Sequence, residues 1–446
     1  MIHHYESDDV VPVFDEIFSE TTVPKLIPVE YHFPVGSIEA KDIHGIIRSS
    51  IIERGLDHKI QPGQTIAITA GSREIHNIDV ITKAVVDYVK SCGAHPFIFP
   101  AMGSHGGANA EGQREILYGY GITEEAMGCP IRATMEVVKL GETPDGLGVY
   151  LDRYADEADG IIVVGRVKPH TNFHGKVESG LMKMLVIGSG KQHGADICHG
   201  AGFENMSRNI QAIAHEVIKH KNVVFGVAII EDARHGTAEI LAVPSDRIEE
   251  EEPALLEKAK SLIPCIPFDK IDVLILEEIG KDISGTGMDP NVVGRSIQLG
   301  HSKPFVERVA VLDLSENSHH NFCGSGGADF ATKRFFDKAD FAVTYPNPLT
   351  GHDPGNSMLP VIMPNDRNAI LAAIQTCLHG DPAIGPRLVW MRNTLWINHF
   401  YISESLLPDA ERNPDITVIG EPVEIPFDSN GNLPWLNDPA CETALP

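Results

Sequence analysis

The chain has 446 residues, 42% hydrophobic and 22% charged, with a formal net charge of −26. That length exceeds one ordinary domain, and so acidic a surface repels a phosphate backbone, which excludes nucleic acid as a partner. No apolar run approaches the roughly 20 residues of a membrane helix, and "MIHHYESDDV" lacks the basic-then-apolar layout of a signal peptide, so a cytoplasmic, membrane-free setting is expected.

From residue 65 onward, strand-like and helix-like runs alternate. "TIAITAG" reads as a buried strand entering a Gly71-Ser72-Arg73 turn. "NIDVITKAVVDYVKSCG" places Ile78, Ile81, Val85, Val86 and Val89 at helical spacing and stops at Gly93. "HPFIFPAMG" is the next strand, followed by the glycine-loosened "SHGGANAEGQREIL", which starts a helix. "ADGIIVVG" is a third strand; "FENMSRNIQAIAHEVIKH" reads as a helix and "NVVFGVAIIED" as a strand. The acidic "DRIEEEEPALLEKAKSLIP" reads as a solvated helix. A second series follows: strands in "IDVLILEEIG", "RVAVLDLS", "ADFAVTY" and "RLVWMRNT", with an amphipathic helix in "DRNAILAAIQTCLHG". Repeated β-α alternation predicts an α/β protein of two doubly wound, mostly parallel-sheet domains with the active site in the cleft between them. The expected division is residues 1–265 as the domain carrying the chemistry, 266–406 as the second α/β domain, and 407–446 as an extended arm packing back on the body.

Seven dispersed cysteines form no C-x-x-C pair, which argues against zinc ribbons, iron–sulfur clusters and a disulfide framework. Histidine is the conspicuous residue, with 21 copies. Three strand ends of the first domain deliver polar clusters: Ser72-Arg73 with His76; Gly103-Ser104-His105-Gly106-Gly107; and Lys168-Pro169-His170 with His174, Lys176, Glu178 and Lys183. In a doubly wound sheet such ends share one rim, where ligands bind. Flanking glycines let backbone approach a ligand closely. "IGSGKQHG" is not a P-loop, because Leu185 stands where its first glycine belongs and Gln192 where Ser or Thr follows the lysine. The turn at Gly188 and Gly190 is expected either to cradle a phosphate of a cofactor or to be a tight connection. Lys183, flanked by apolar residues in "SGLMKMLVIG", either snorkels outward, is desolvated and nucleophilic, or is covalently modified.

These residues resemble the nickel-pincer nucleotide-dependent lactate racemases and their homologues. The matching features are the strand followed by Ser72-Arg73, the strand followed by Gly103-Ser104-His105, Pro169-His170, then Ser179-Gly180-x-x-Lys183, with His199 sixteen residues beyond that lysine. Their order agrees too. The resemblance implies a cofactor, the pyridinium-3-thioamide-5-thiocarboxylic acid mononucleotide, linked to Lys183. It implies nickel held by that pincer with His199 as the protein ligand. It further implies His105 and His170 as paired acid/base residues and Arg73 on an anionic 2-hydroxy acid substrate. The Pro-His context points to His170. The spacing to Lys183 points instead to His174, which lacks the preceding proline. Enzymes that synthesise the cofactor would be partners.

Hydride transfer suits such a substrate. Removing the C2 proton would build a second negative charge beside the carboxylate, whereas taking hydride leaves a neutral carbonyl. The hydroxyl proton must leave as well, a task for histidine. Two other readings come from the same residues: a zinc- or manganese-dependent hydrolase using His105, His170, His174 and Glu178, and a non-catalytic nucleotide-binding protein using the glycine-rich turns.

Overall fold

The run "TIAITA" becomes the strand Thr65–Ala70 of a five-stranded sheet in the computed structural model, which describes residues 7–33, 35–36, 38–200, 202–297, 300–350, 353–377 and 385–437. The sheet order is His95–Pro100, Thr65–Ala70, Gly160–Arg166, Val223–Glu231 and Thr237–Pro244. The first four strands are parallel and the last is antiparallel to its neighbour. Gly160–Arg166 and Val223–Glu231 are buried along nearly their whole length, as expected of parallel strands covered on both faces. Helices Ile43–Glu53 and Ile78–Ser91 contribute to the apolar core of one face, and Met206–His220 and Ile248–Leu262 to that of the other. From Thr65–Ala70 the chain runs outward to the edge strand His95–Pro100, then returns to Gly160–Arg166 on the opposite side. The order therefore reverses between Thr65–Ala70 and Gly160–Arg166, which makes their carboxyl ends a topological switch point.

This sheet belongs to a unit spanning Pro34–Ile263; the other unit comprises Met1–Phe33 and Pro264–Pro446. The second unit carries an eight-stranded sheet in the order Val361–Met363, Phe330–Thr332, Phe305–Leu314, Lys270–Ile279, Leu388–Met391, His399–Ser403, Leu26–Tyr31 and Ile416–Val418. Its first five strands are parallel, and the last three extend it in antiparallel fashion. Leu26–Tyr31, which the sequence reading places in the first domain, is thus an interior strand of the second unit's sheet. Of the expected arm, residues 438–446 lie outside the described residues; in the rest, Ile416–Val418 pairs with Leu26–Tyr31, Leu433 is buried, and Trp435 Nε1 donates to Glu277 at 3.2 Å.

"ADFAVTY" is a helical turn, Phe341–Thr344, not a strand. The Asp340 side chain accepts from the backbone N–H groups of Ala342 and Val343, so a capped turn wins over β-propensity. Among the described residues no helix is long and apolar enough to cross a membrane.

Candidate active site

The site is assembled where the parallel strands end. After Thr65–Ala70, the Tyr120 hydroxyl donates to the carbonyl of Ser72 at 2.8 Å, and the Ser72 hydroxyl shares a hydrogen bond of 2.5 Å with His105 Nδ1. Two strand ends are thereby tied together. The loop bearing His105 turns through Gly103, Gly106 and Gly107, all at positive φ, where side chains are disfavoured. Gln113, fully buried, holds that loop by donating to the carbonyls of Gly103 at 3.0 Å and His105 at 3.2 Å.

Behind Gln113 lies Lys191, the lysine of "IGSGKQHG". It is 0% exposed and donates to Gln113 Oε1 at 3.2 Å and to the Pro100 carbonyl, with Asp152 Oδ2 at 3.1 Å as its counter-ion. A β-carbon on Gly188 would meet the Ala101 carbonyl oxygen at 2.8 Å, and one on Gly190 the Val186 carbonyl oxygen at 2.3 Å. Both glycines therefore have a packing reason in this turn. This turn braces the His105 loop from within.

At the third strand end, backbone hydrogen bonds between Lys168 and Ser179, at 2.9 and 3.2 Å, close a loop over residues 168–179. Phe173 and Val177 anchor it in the core, and Glu178 is buried at its base. His170 and His174 both contact this carboxylate, His170 through its backbone N–H and His174 through Nδ1. Phe173 is shared by the two sides of the site: His170 packs on its ring at 4.3 Å between centroids, and Lys183 Nζ lies 5.7 Å from its centroid.

Lys183 ends the short helix Leu181–Lys183 and leads into a π-helical turn, Met184–Gly188, a distortion frequent at functional sites. Burial lowers its pKa first, and Arg73 and Lys168 push it further down, to about 7. Among the described residues no carboxylate lies within ion-pair distance of Lys183 or Arg73. Burial also lowers the pKa of Arg73, with Arg166 acting in the same sense. In a chain of net charge −26, the Arg73 guanidinium, with no carboxylate at ion-pair distance among the described residues, makes a local site for an anion.

Sequence reasoning missed Glu252. The run Glu249–Glu252 reads as solvated, yet Glu252 is 1% exposed, accepts the Met182 N–H at 2.9 Å and holds the turn that presents Lys183. A signal for it was present: Glu252 follows Ile248 by four residues and precedes Leu255 and Leu256 by three and four, so helical period places it on the buried face.

The hydrolase reading finds no donor set. Among the described residues no three His, Cys, Asp or Glu side chains are gathered as a metal would require. His199 lies on the helix Lys191–Gly200, and its side chain is outside the described part of the chain.

Residues 25–209 match the model of the lactate racemase N-terminal domain family. This segment is similar to lactate racemase N-terminal domains. The matched segment contains Arg73, His105, His170, His174, Lys183 and His199, whereas Glu252 and Lys260, which reach the site from the helix Ile248–Leu262, lie beyond it. The chain is also similar to the solved lactate racemase apoprotein from Thermoanaerobacterium thermosaccharolyticum, at 12% identity and a TM-score of 0.42, over 64% of this chain and 74% of that one. No curated protein matches the chain.

Proposed function

We propose that this protein is a racemase or epimerase of a 2-hydroxy acid, working with a nickel-pincer nucleotide carried on Lys183. The observation that carries the reading is the state of Lys183: an amine with pKa near 7 and no carboxylate partner among the described residues, at the sheet's switch point beside Arg73. An amine that must enter an acyl-type link has to be neutral, and burial beside two cations makes it so at cellular pH. Those same cations suit the phosphate and thiocarboxylate charges of such a mononucleotide, so the residues fit the group. His199 is the residue that would offer an imidazole to nickel, a ligand type that metal accepts readily.

When bound, this cofactor would supply an electron-poor hydride acceptor beside C2 of the substrate. The remaining work falls to the protein. Arg73 holds the substrate carboxylate, a role that guanidinium geometry fits through paired N–H donors. His105, oriented by Ser72, exchanges the hydroxyl proton for one stereoisomer, and the histidines of the 168–179 loop serve the other. A cytoplasmic protein loaded by cofactor-synthesis enzymes is consistent with this reading.

Co-expression with the cofactor-synthesis enzymes tests it. The peptide containing Lys183 should gain a sulfur-bearing mononucleotide mass, absent from Lys183→Ala, and a C2-deuterated substrate should keep its label in the inverted product. Racemisation by protein with unmodified Lys183, or loss of the label to water, would sink the proposal.

A further inference from the structure

Glu178 is 0% exposed, yet its two oxygens accept from four protein donors. Oε2 takes the His170 N–H at 2.7 Å and His174 Nδ1 at 3.2 Å; Oε1 takes the Gly175 N–H at 3.3 Å and Lys260 Nζ at 3.1 Å. Burial alone would raise its pKa, but the contacts from His174, His170 and Lys260 outweigh burial and hold it below the usual carboxylate range. An ionised carboxylate only accepts hydrogen bonds. His174 must therefore carry its proton on Nδ1, which leaves Nε2 as a bare lone pair in the neutral ring.

His170 is held the other way round. Its Nδ1 accepts the backbone N–H of Asn172 at 3.0 Å, so the neutral ring carries its proton on Nε2. While that bond stands, Nε2 can donate but cannot accept. Two histidines four residues apart, on one loop around one carboxylate, are fixed in opposite tautomers.

We infer that Glu178 is the positioning residue of this rim, holding His174 as the proton acceptor and leaving His170 as an N–H donor to the substrate. The catalytic consequence rests on the racemase reading; the tautomers do not. A carboxylate that orients a histidine through Nδ1–H and stabilises the imidazolium is a recurrent arrangement in acid–base catalysis. Lys260 secures Glu178 from the helix Ile248–Leu262, so the carboxylate stays charged although it is itself buried.

The tautomers can be read in the cofactor-free full chain by ¹⁵N NMR of labelled histidines, assigned through His170→Gln and His174→Gln. Above pH 8, wild-type His174 should show a protonated Nδ1 and a bare Nε2, and His170 the reverse. Glu178→Gln should release His174 into a mixture of tautomers. A wild-type His174 protonated on Nε2, or a His170 protonated on Nδ1, overturns the inference without recourse to any variant. In loaded enzyme, His174→Ala and Glu178→Gln should each lower kcat by about 10²–10⁴-fold with KM little changed. His170→Ala should act mainly on KM. If His170→Ala costs as much in kcat as His174→Ala, the acceptor assignment is wrong although the racemase reading survives. Absence of racemisation together with the expected tautomers fails the racemase reading and supports the assignment.

Discussion

The buried carboxylate of Glu252 accepts the Met182 N–H at 2.9 Å, one residue before Lys183, and packs so close to Gly180 that a β-carbon there would lie 2.3 Å from Glu252 Oε1 and force the carboxylate to move. The lysine turn is thus built against a charge that the protein has difficulty keeping buried. Burial raises the Glu252 pKa to about 7, against the partial relief of backbone N–H donors from Met182 and Leu181.

The sign of the resulting pH dependence follows. A carboxyl whose folded pKa lies above its unfolded value stabilises the fold fully below about 4.5 and loses that contribution as pH rises through about 7. Urea unfolding of wild type and Glu252→Gln at pH 5 and pH 8 should show the variant's relative stability improving at the higher pH by an amount on the order of 2–4 kcal/mol. A difference that does not change with pH would mean that Glu252 is ionised throughout. Glu252→Ala should be worse than Gln at both pH values, since it leaves the Met182 N–H unpaired.

Lys183 should stand out chemically. With a pKa near 7 it is largely neutral at pH 7.5, where ordinary lysines are almost wholly protonated. Competitive acylation of cofactor-free protein, read by peptide mass, should label Lys183 far ahead of exposed lysines at pH 7.5, with its rate levelling off above about pH 8. A labelling profile that rises in step with the other lysines up to pH 10 would remove the chemical basis of the cofactor link.

Lys191 should matter to stability and not to anion binding. Its removal in Lys191→Ala leaves Asp152 buried without a counter-ion and Gln113 without one of its partners, which should cost about 3–5 kcal/mol in chemical denaturation. Inorganic phosphate should not protect the wild-type turn against that denaturation. Protection would restore the phosphate-cradle reading of Gly188 and Gly190.

Ser72→Ala tests the link between the first two strand ends. Losing the hydrogen bond to His105 Nδ1 removes one of the constraints that orient the imidazole. Turnover by loaded enzyme should fall by about tenfold with the stability curve nearly unmoved. An unchanged kcat would separate Ser72 from the orientation of His105.

Much of the catalytic rim was legible because its strands are buried on both faces. "TIAITA" and "GIIVVG" read as strands from unbroken apolarity, and the polar clusters that follow them are strand ends by necessity. Residues that reach the rim from elsewhere were harder to find. Gln113, Glu252 and Lys260 sit on helices whose polar residues mostly face water, and only packing distinguishes the ones that turn inward. The second unit was read less well for a related reason: Leu26–Tyr31 and His399–Ser403 pair across the length of the chain, and nothing local in either strand specifies so distant a partner.

That long-range pairing has a consequence during synthesis. In order of synthesis, Leu26–Tyr31 is made well before its sheet neighbours His399–Ser403 and Ile416–Val418. At roughly 5–20 residues per second, about 20–70 s pass before the first of them is available. Throughout that interval a strand whose Leu26, Ile27 and Val29 are buried in the finished protein lacks both of its sheet neighbours, while the Pro34–Ile263 unit can fold once residue 263 has been made. For the latter part of that interval the nascent chain carries a folded unit next to an unpaired apolar strand, the kind of segment that chaperones bind.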